Sequence, residues 1–455
     1  MANQNILTNG AKVAQIEQVF FSPVAVVPPF IDTPISTTYC FLAKVDPWSD
    51  ENDPPEPTQD VASIKKIFKN MFVAKQIHSN DISPVIARVD WNNGTIYDFY
   101  RDDIDLLLQD VNGNNVYNYY VKNKFDQVFK CLWNNNGGAS LNEPFFEPGS
   151  YDTNNIFTGL DGYKWKYIYT IDTGSKVKFM DSTWMPVPVG SNTPNPLITS
   201  AGAGSLDVIN VLDGGFNYDT SNAIVTVTVT GDGTGATAVA NVSGGQIADI
   251  IVTSPGSNYT FANVAITSEL GTGAVAIAPT SPVGGHGFDP IGELGCSHIM
   301  FTAEFNGTEG GLIPTDIDFH QLGLIINPTT RSLTPNPANG AIYSTTTDFL
   351  VAPGFGAYTN DEVVFQGATV ETATFTGKVL SFNATTNVIR VLNIVGTPIL
   401  NAPVFGDTSS TTRTLMTFTP PNFTIFSGYL SFVENRSGVQ RSPDGIEQFK
   451  FVLGY

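Results

Sequence analysis

Val225-Thr226-Val227-Thr228-Val229-Thr230 alternates without a break. Successive side chains of a strand point to opposite faces, so one face of this segment is all valine and the other all threonine. That is the pattern of a strand with one face buried and one in water. The alternation resumes at Ala236 to Val242, after the glycine string Gly231-Asp232-Gly233-Thr234-Gly235. The surrounding sequence is also doubled. Gly215-Phe216-Asn217-Tyr218 returns 41 positions later as Gly256-Ser257-Asn258-Tyr259, and Gly233-Thr234-Gly235-Ala236 returns 38 positions later as Gly271-Thr272-Gly273-Ala274. Residues 199–285 therefore read as two β units of about 40 residues each, with Gly-Asn turns. Two copies are fewer than a solenoid needs, so the expectation is a small paired module.

Further out, residues 343–415 form a second all-β stretch. Val363-Val364-Phe365, Ala373 to Phe382 and Val388 to Ile394 read as strands, with a turn over Asn383 to Asn387. Neither stretch carries the heptads of a trimeric fibre. Residues 1–198 are mixed. A helix is expected near Thr58 to Lys69, with Asp60 as N-cap and Ile64, Ile67, Phe68 and Met71 at helical spacing. The acidic, proline-rich Asp46 to Pro57 precedes it as a loop. Strands are expected at Val85 to Trp91, Val116 to Val121, Gln127 to Trp133 and Tyr163 to Ile171, and a last one at Glu447 to Leu453. The fold class is mainly β, with an α+β N-terminal part: a multi-domain, β-sandwich-like structural protein with two all-β insertions.

The chain has 455 residues, with 22 Lys+Arg against 42 Asp+Glu and a formal charge of −20, the wrong sign for a nucleic-acid binder. Only 14% of residues are charged, but 42% are hydrophobic and 11% aromatic, enough for a sizeable core and too many for a disordered chain. The start lacks a basic region and a long apolar run, so no signal peptide is expected. The apolar stretch from Val19 to Val27 is broken by Pro23 and stopped by Pro28-Pro29, too short to span a bilayer. Cys40, Cys131 and Cys296 are odd in number and far apart, and read as buried free thiols. Triplets such as Asn241-Val242-Ser243 and Asn258-Tyr259-Thr260 read as ordinary β and loop sequence.

Candidate chemistry is sparse. Gly231 to Gly235 resembles a phosphate loop, but a strand pattern follows where the chemistry needs a helix N-terminus, so a hairpin turn is expected. Asp110-Val111-Asn112-Gly113-Asn114 resembles half a calcium loop, yet Asn115 and Val121 stand where a glycine and a bidentate acid belong. His286, Cys296, His298 and His320 fall in one region and could ligate zinc or iron, but their spacing is loose. Isolated core or surface histidines are the expectation. No nucleophile elbow, zinc-protease helix or Walker loop occurs, and nothing singles out a carboxylate pair. No catalytic, cofactor or metal residue is assigned. Trp48, Trp91, Trp165 and Trp184 are candidate interface anchors, with Trp165 favoured as core because it sits inside an alternating strand.

Several strings are more specific, and they come in a definite order. They are Asp46-Pro47-Trp48-Ser49-Asp50-Glu51-Asn52, Ala87-Arg88-Val89-Asp90-Trp91 with Tyr97-Asp98, and Asp161-Gly162-Tyr163-Lys164-Trp165-Lys166-Tyr167 with Trp184-Met185-Pro186-Val187. Then come Gly285-His286-Gly287-Phe288-Asp289-Pro290 with Glu293-Leu294-Gly295, Gln321-Leu322-Gly323-Leu324-Ile325-Ile326-Asn327-Pro328, Val433-Glu434-Asn435-Arg436 and Glu447-Gln448-Phe449-Lys450-Phe451. This set resembles the baseplate wedge protein of contractile-tailed bacteriophages, the gene product 8 family of T-even-like phages in its cyanophage form with Gly-rich insertions. The resemblance covers roughly 1–198, 284–342 and 416–455.

It implies a non-enzymatic subunit of the virion tail baseplate, made in the host cytoplasm. Its members are largely β and homodimeric, and sit beside other wedge subunits around a six-fold baseplate that rearranges when the tail contracts. It implies no cofactor, no nucleic-acid partner and no membrane insertion. The implied organisation is a wedge core in three parts, 1–198, 286–342 and 416–455, interrupted by a Gly-rich β-repeat insertion at 199–285 and an all-β insertion at 343–415. The alternative function is a host-binding adhesin that uses the repeats, whose Tyr218 and Tyr259 recur in register and suggest an aromatic glycan-binding surface.

Overall fold

The computed structural model describes residues 37–108, 116–147, 156–189, 203–219, 224–331 and 336–454. Strands hold 46% of the described residues and helices 7%, so the protein is mainly β and multi-domain. It divides into two compact units. One is built on Ser83–Met300, the other on the described residues before it together with Phe301–Phe451.

The first unit contains a four-stranded antiparallel sheet, in the order Tyr120–Lys122, Gln127–Trp133, Lys164–Thr170, Ile156–Thr158. Alternation sorts the two central strands. Phe129, Cys131, Trp165 and Tyr167 pack on one face with Tyr97, Val121 and Tyr163. The other face receives Lys130 and Lys166, which lie directly opposite each other across the strands. A short helix, Thr173–Phe179, follows, capped by Asp172, whose carboxylate accepts from the Ser175 amide at 2.9 Å.

The doubled sequence forms three antiparallel ribbons. Asn210–Phe216 pairs with Thr272–Ile277, Thr226–Gly231 with Ala262–Thr267, and Thr234–Ser243 with Gln246–Ser257. The valines of Val225–Thr230 turn inward and its threonines are exposed. The inner faces meet over Leu206, Ile209, Tyr218, Ile247, Ile250 and Tyr259.

The second unit has a five-stranded antiparallel sheet, in the order Ile342–Ser344, Met71–Ile77, Thr38–Ala43, Asp318–Ile326, Tyr429–Gln440. The expected helix spans Val61–Asn70, with the Asp60 carboxylate accepting from the Ser63 amide at 2.9 Å. Its Ile67 and Phe68 enter a core with Tyr39, Phe41, Ile325 and Phe423. Between Thr347 and Thr419, six strands close into a barrel, in the order Thr347–Val351, Val388–Gly396, Phe375–Asn383, Val363–Gln366, Pro403–Gly406, Thr412–Thr419. The last strand pairs back onto the first, Phe418 opposite Phe349, so the barrel has no free edge. Phe349, Val351, Val364, Phe375, Val379 and Ile389 fill its interior.

Two expected strands are shorter than the sequence suggested. Val85–Trp91 is replaced by Ile82–Ala87: the Arg88 amide makes the last bond of the ladder, to the Thr183 carbonyl, and beyond it the Val89 carbonyl and Trp91 amide turn to Lys122. Val116–Val121 shrinks to Tyr120–Lys122, because the Asn118 amide is taken by the Asp98 carboxylate at 2.8 Å.

All three cysteines are free and buried. Burial raises each thiol, that of Cys296 to about 12. Alkylation by iodoacetamide at pH 8 is therefore expected to leave all three untouched until the chain is unfolded. Mass spectrometry after a brief exposure checks this, and modification of the folded protein would contradict the burial.

Candidate functional site: charge networks that seat two β modules

Two lysines face each other on a buried sheet face, and like charges in that register repel. Two carboxylates resolve the conflict. Lys130 Nζ lies 2.8 Å from Glu293 Oε1, and the side chains are 2% and 3% exposed. Lys166 Nζ lies 2.9 Å from Asp207 Oδ2, with both groups buried. His286 Nδ1 is 2.6 Å from the same Glu293 oxygen, and the Gly287 amide donates to the other oxygen. The Lys130 ammonium stands 3.9 Å from the centroid of the Tyr100 ring, a cation–π contact. Burial alone would raise the Glu293 carboxyl, but Lys130 and His286 hold it well below the usual carboxylate range. Burial, reinforced by Lys130, pushes His286 down, so its imidazole is neutral at pH 7.

This network seats the repeat module on the sheet of its own unit. Asp207 enters from the irregular segment leading into the module, where Ser205 donates to its second oxygen at 2.9 Å. Lys164 reaches Asp249, inside the module, at 2.8 Å. The buried Asn210 amide donates to the Leu132 carbonyl at 2.9 Å. Where the chain leaves the module, the Tyr100 hydroxyl donates to the Thr280 carbonyl, and Asp102 accepts from the Thr280 amide. Directional bonds at entry, middle and exit fix the module's orientation, which apolar contact alone does not do.

A second network lies within the second unit. It runs from the barrel strand Phe375–Asn383 to the sheet and then to the acidic loop. Lys378 pairs with Asp46 at 2.6 Å and with Asp361 at 3.1 Å. Asp361 meets Lys44 at 3.0 Å, and Lys44 also pairs with Asp318. Asp318 lies 3.5 Å from Nδ1 of the buried His320, whose Nε2 is 3.2 Å from Glu51. Glu51 accepts from the Gly438 amide at 2.8 Å, and the Trp48 indole donates to the Arg436 carbonyl at 2.9 Å. The loop Asp46 to Pro57 thus straps the outer edge of Tyr429–Gln440, where three residues bulge between the Asn435 and Val439 pairings. Among the described residues no strand pairs with this edge, and side-chain bonds fasten it instead. Glu51→Ala is expected to speed hydrogen exchange at the Gly438 amide while leaving the barrel amides unchanged. Unchanged exchange at Gly438 would contradict the fastening role.

The residues singled out in the sequence are not gathered into one place. His286 serves Glu293, Cys296 donates to the Val85 carbonyl, and His298 packs against Trp184 with ring centroids 4.5 Å apart. His320 belongs to the other unit. Among the described residues, no group of three His, Cys, Asp or Glu side chains is arranged to hold a metal ion. Gly231 to Gly235 is followed by a strand and not by a helix, but it is not the expected hairpin turn: the flanking strands Thr226–Gly231 and Thr234–Ser243 belong to different ribbons, pairing with Ala262–Thr267 and Gln246–Ser257. The Asp110–Asn114 loop lies outside the described residues. Tyr218 and Tyr259 are buried, 3% and 6% exposed, so they are module core and offer no glycan-stacking surface. Trp165 is fully buried, whereas Trp48, Trp91 and Trp184 are half-buried. Among the described residues, no helix is long and apolar enough to cross a membrane.

Sequence reasoning missed Lys130, Lys166, Asp207 and Glu293. One signal was present. Lys130 interrupts Gln127-Val128-Phe129-Lys130-Cys131-Leu132-Trp133 in a chain poor in cations, and a buried lysine requires a carboxylate. Compared with known proteins, the chain matches no family model and no curated protein.

Proposed function

We propose that the chain is a structural subunit of a phage tail baseplate wedge, with a core at 1–198, 286–342 and 416–455 and two β modules, each fastened by ion pairs within its own unit. The ordered strings that resemble the wedge family motivate the reading. The observation that carries it is the seating of both modules by ion-pair networks, over a barrel filled by its own side chains. Such a molecule supplies rigid contact surfaces, the requirement of a subunit that must hold neighbours in register and transmit a rearrangement. It works as a homodimer beside other wedge subunits in the virion, contributes to baseplate assembly, and performs no catalysis. The low charged fraction and abundance of Asn, Thr and aromatic side chains suit large hydrogen-bonded interfaces.

The test is reconstitution with the other baseplate subunits encoded in the same genome. Co-elution as a complex of defined stoichiometry is expected. A protein that stays monomeric and joins no tail component overturns the proposal.

A further inference from the structure

We infer that each sequence repeat at 210–277 is a self-recognition element, whose fitting partner is another copy of the same repeat, and that the module is two such elements fused in one chain. The pairing of the ribbons carries the inference. The Gly-x-Asn-Tyr strand of the first copy, Asn210–Phe216, pairs with Thr272–Ile277 of the second. The corresponding strand of the second copy, Gln246–Ser257, pairs with Thr234–Ser243 of the first. The middle strands, Thr226–Gly231 and Ala262–Thr267, pair with each other. Every ribbon therefore takes one strand from each copy.

The side chains repeat the exchange. The Tyr218 hydroxyl accepts from the Ala274 amide at 3.4 Å, and its ring lies over Gly271, where an added Cβ would sit 2.2 Å from a ring carbon. The Tyr259 hydroxyl accepts from the Ala236 amide at 3.3 Å, and its ring lies over Gly233 with a corresponding approach of 2.4 Å. Each copy's tyrosine is thus held by the other copy's Gly-Thr-Gly-Ala segment, where a strand begins. The backbone matches as well: φ is 62° and 63° at Gly215 and Gly256, and 60° and 62° at Asn217 and Asn258. These are the reciprocal contacts of a twofold interface, in which residue i meets j and j meets i. Covalent linkage supplies the second copy at high effective concentration, so the intact module satisfies itself.

The linkage between the two copies is the two-residue turn Gly244-Gly245, with φ of 59° and 78°. Deleting both glycines removes the two left-handed positions that the tight turn between Thr234–Ser243 and Gln246–Ser257 uses. The full-length chain lacking Gly244 and Gly245 is expected to exchange repeats with a second chain and double its mass in light scattering, relative to the parent at the same concentration. Adding Gly233→Val and Gly271→Val to that variant fills both tyrosine seats and is expected to return the mass to that of the parent. A second full-length variant lacking residues 210–250 keeps only the second repeat, whose strands all take their partners from the first, and is likewise expected to double. A glycine-deleted chain that stays at the parent mass, whether its module is folded or melted, overturns the inference. So does a doubled mass that survives filling the tyrosine seats.

Discussion

Lys130→Met is expected to destabilise the first unit by roughly 3–5 kcal/mol, the usual cost of removing one partner from a buried ion pair. The substitution leaves the Glu293 carboxylate and His286 in a site shut off from water. Replacing both partners, Lys130→Met with Glu293→Met, is expected to recover much of the loss, because two apolar side chains leave no orphaned charge. Urea unfolding of the parent, each single variant and the double variant checks this as a cycle. Equal losses in single and double variants would contradict the coupling. The pH dependence follows from the same contacts. Both Glu293 and His286 are held below their ordinary values, so each contributes stability that is full above its unfolded pKa and is lost as pH falls. The histidine contribution begins to fall below about pH 6.5 and the glutamate contribution below about pH 4.3. In His286→Gln the first of these losses should disappear.

Trp165→Ala is expected to cost a similar roughly 3–5 kcal/mol, from lost burial and the cavity left behind. The indole stacks on Tyr163 with centroids 5.5 Å apart and meets Tyr97 edge-on at 5.4 Å. Among the described residues its ring N–H has no hydrogen-bond partner, so Trp165→Phe keeps most of the packing and should cost less. Trp48→Ala should leave global stability nearly unchanged while freeing the strap, because that indole is half-buried and fastened through one bond to Arg436. Thermal unfolding of the three variants separates core tryptophan from strap tryptophan. A Trp48→Ala loss as large as that of Trp165→Ala would contradict the assignment.

Local features were legible in the sequence. Strict Val/Thr alternation gave the half-buried strand because its two faces meet different media, and Asp60 marked a helix start because its carboxylate caps an orphan amide. The paired nature of residues 199–285 was readable from the doubled motifs. The exchange of strands between copies was not, since alternation says which face is buried and nothing about which strand lies alongside. Closure of the barrel was hidden for the same reason: Thr347–Val351 meets Thr412–Thr419 across some sixty residues of chain. The charge networks were hidden because a strand signal assigns Lys130 and Lys166 to a face but not to a carboxylate, and Glu293 and Asp207 lie far off in sequence. Tyr218 and Tyr259 show the opposite error. Their register was visible, but recurrence marked a packing position rather than a binding surface.

The most direct measurement of the proposed wedge role is immunogold electron microscopy of virions, intact and contracted, from the phage source that this role requires, with antibody raised against the purified protein. The wedge reading predicts label at the distal tail plate in six-fold positions, present before contraction and displaced after it. Label confined to fibre tips, or virions that carry no label, would contradict it.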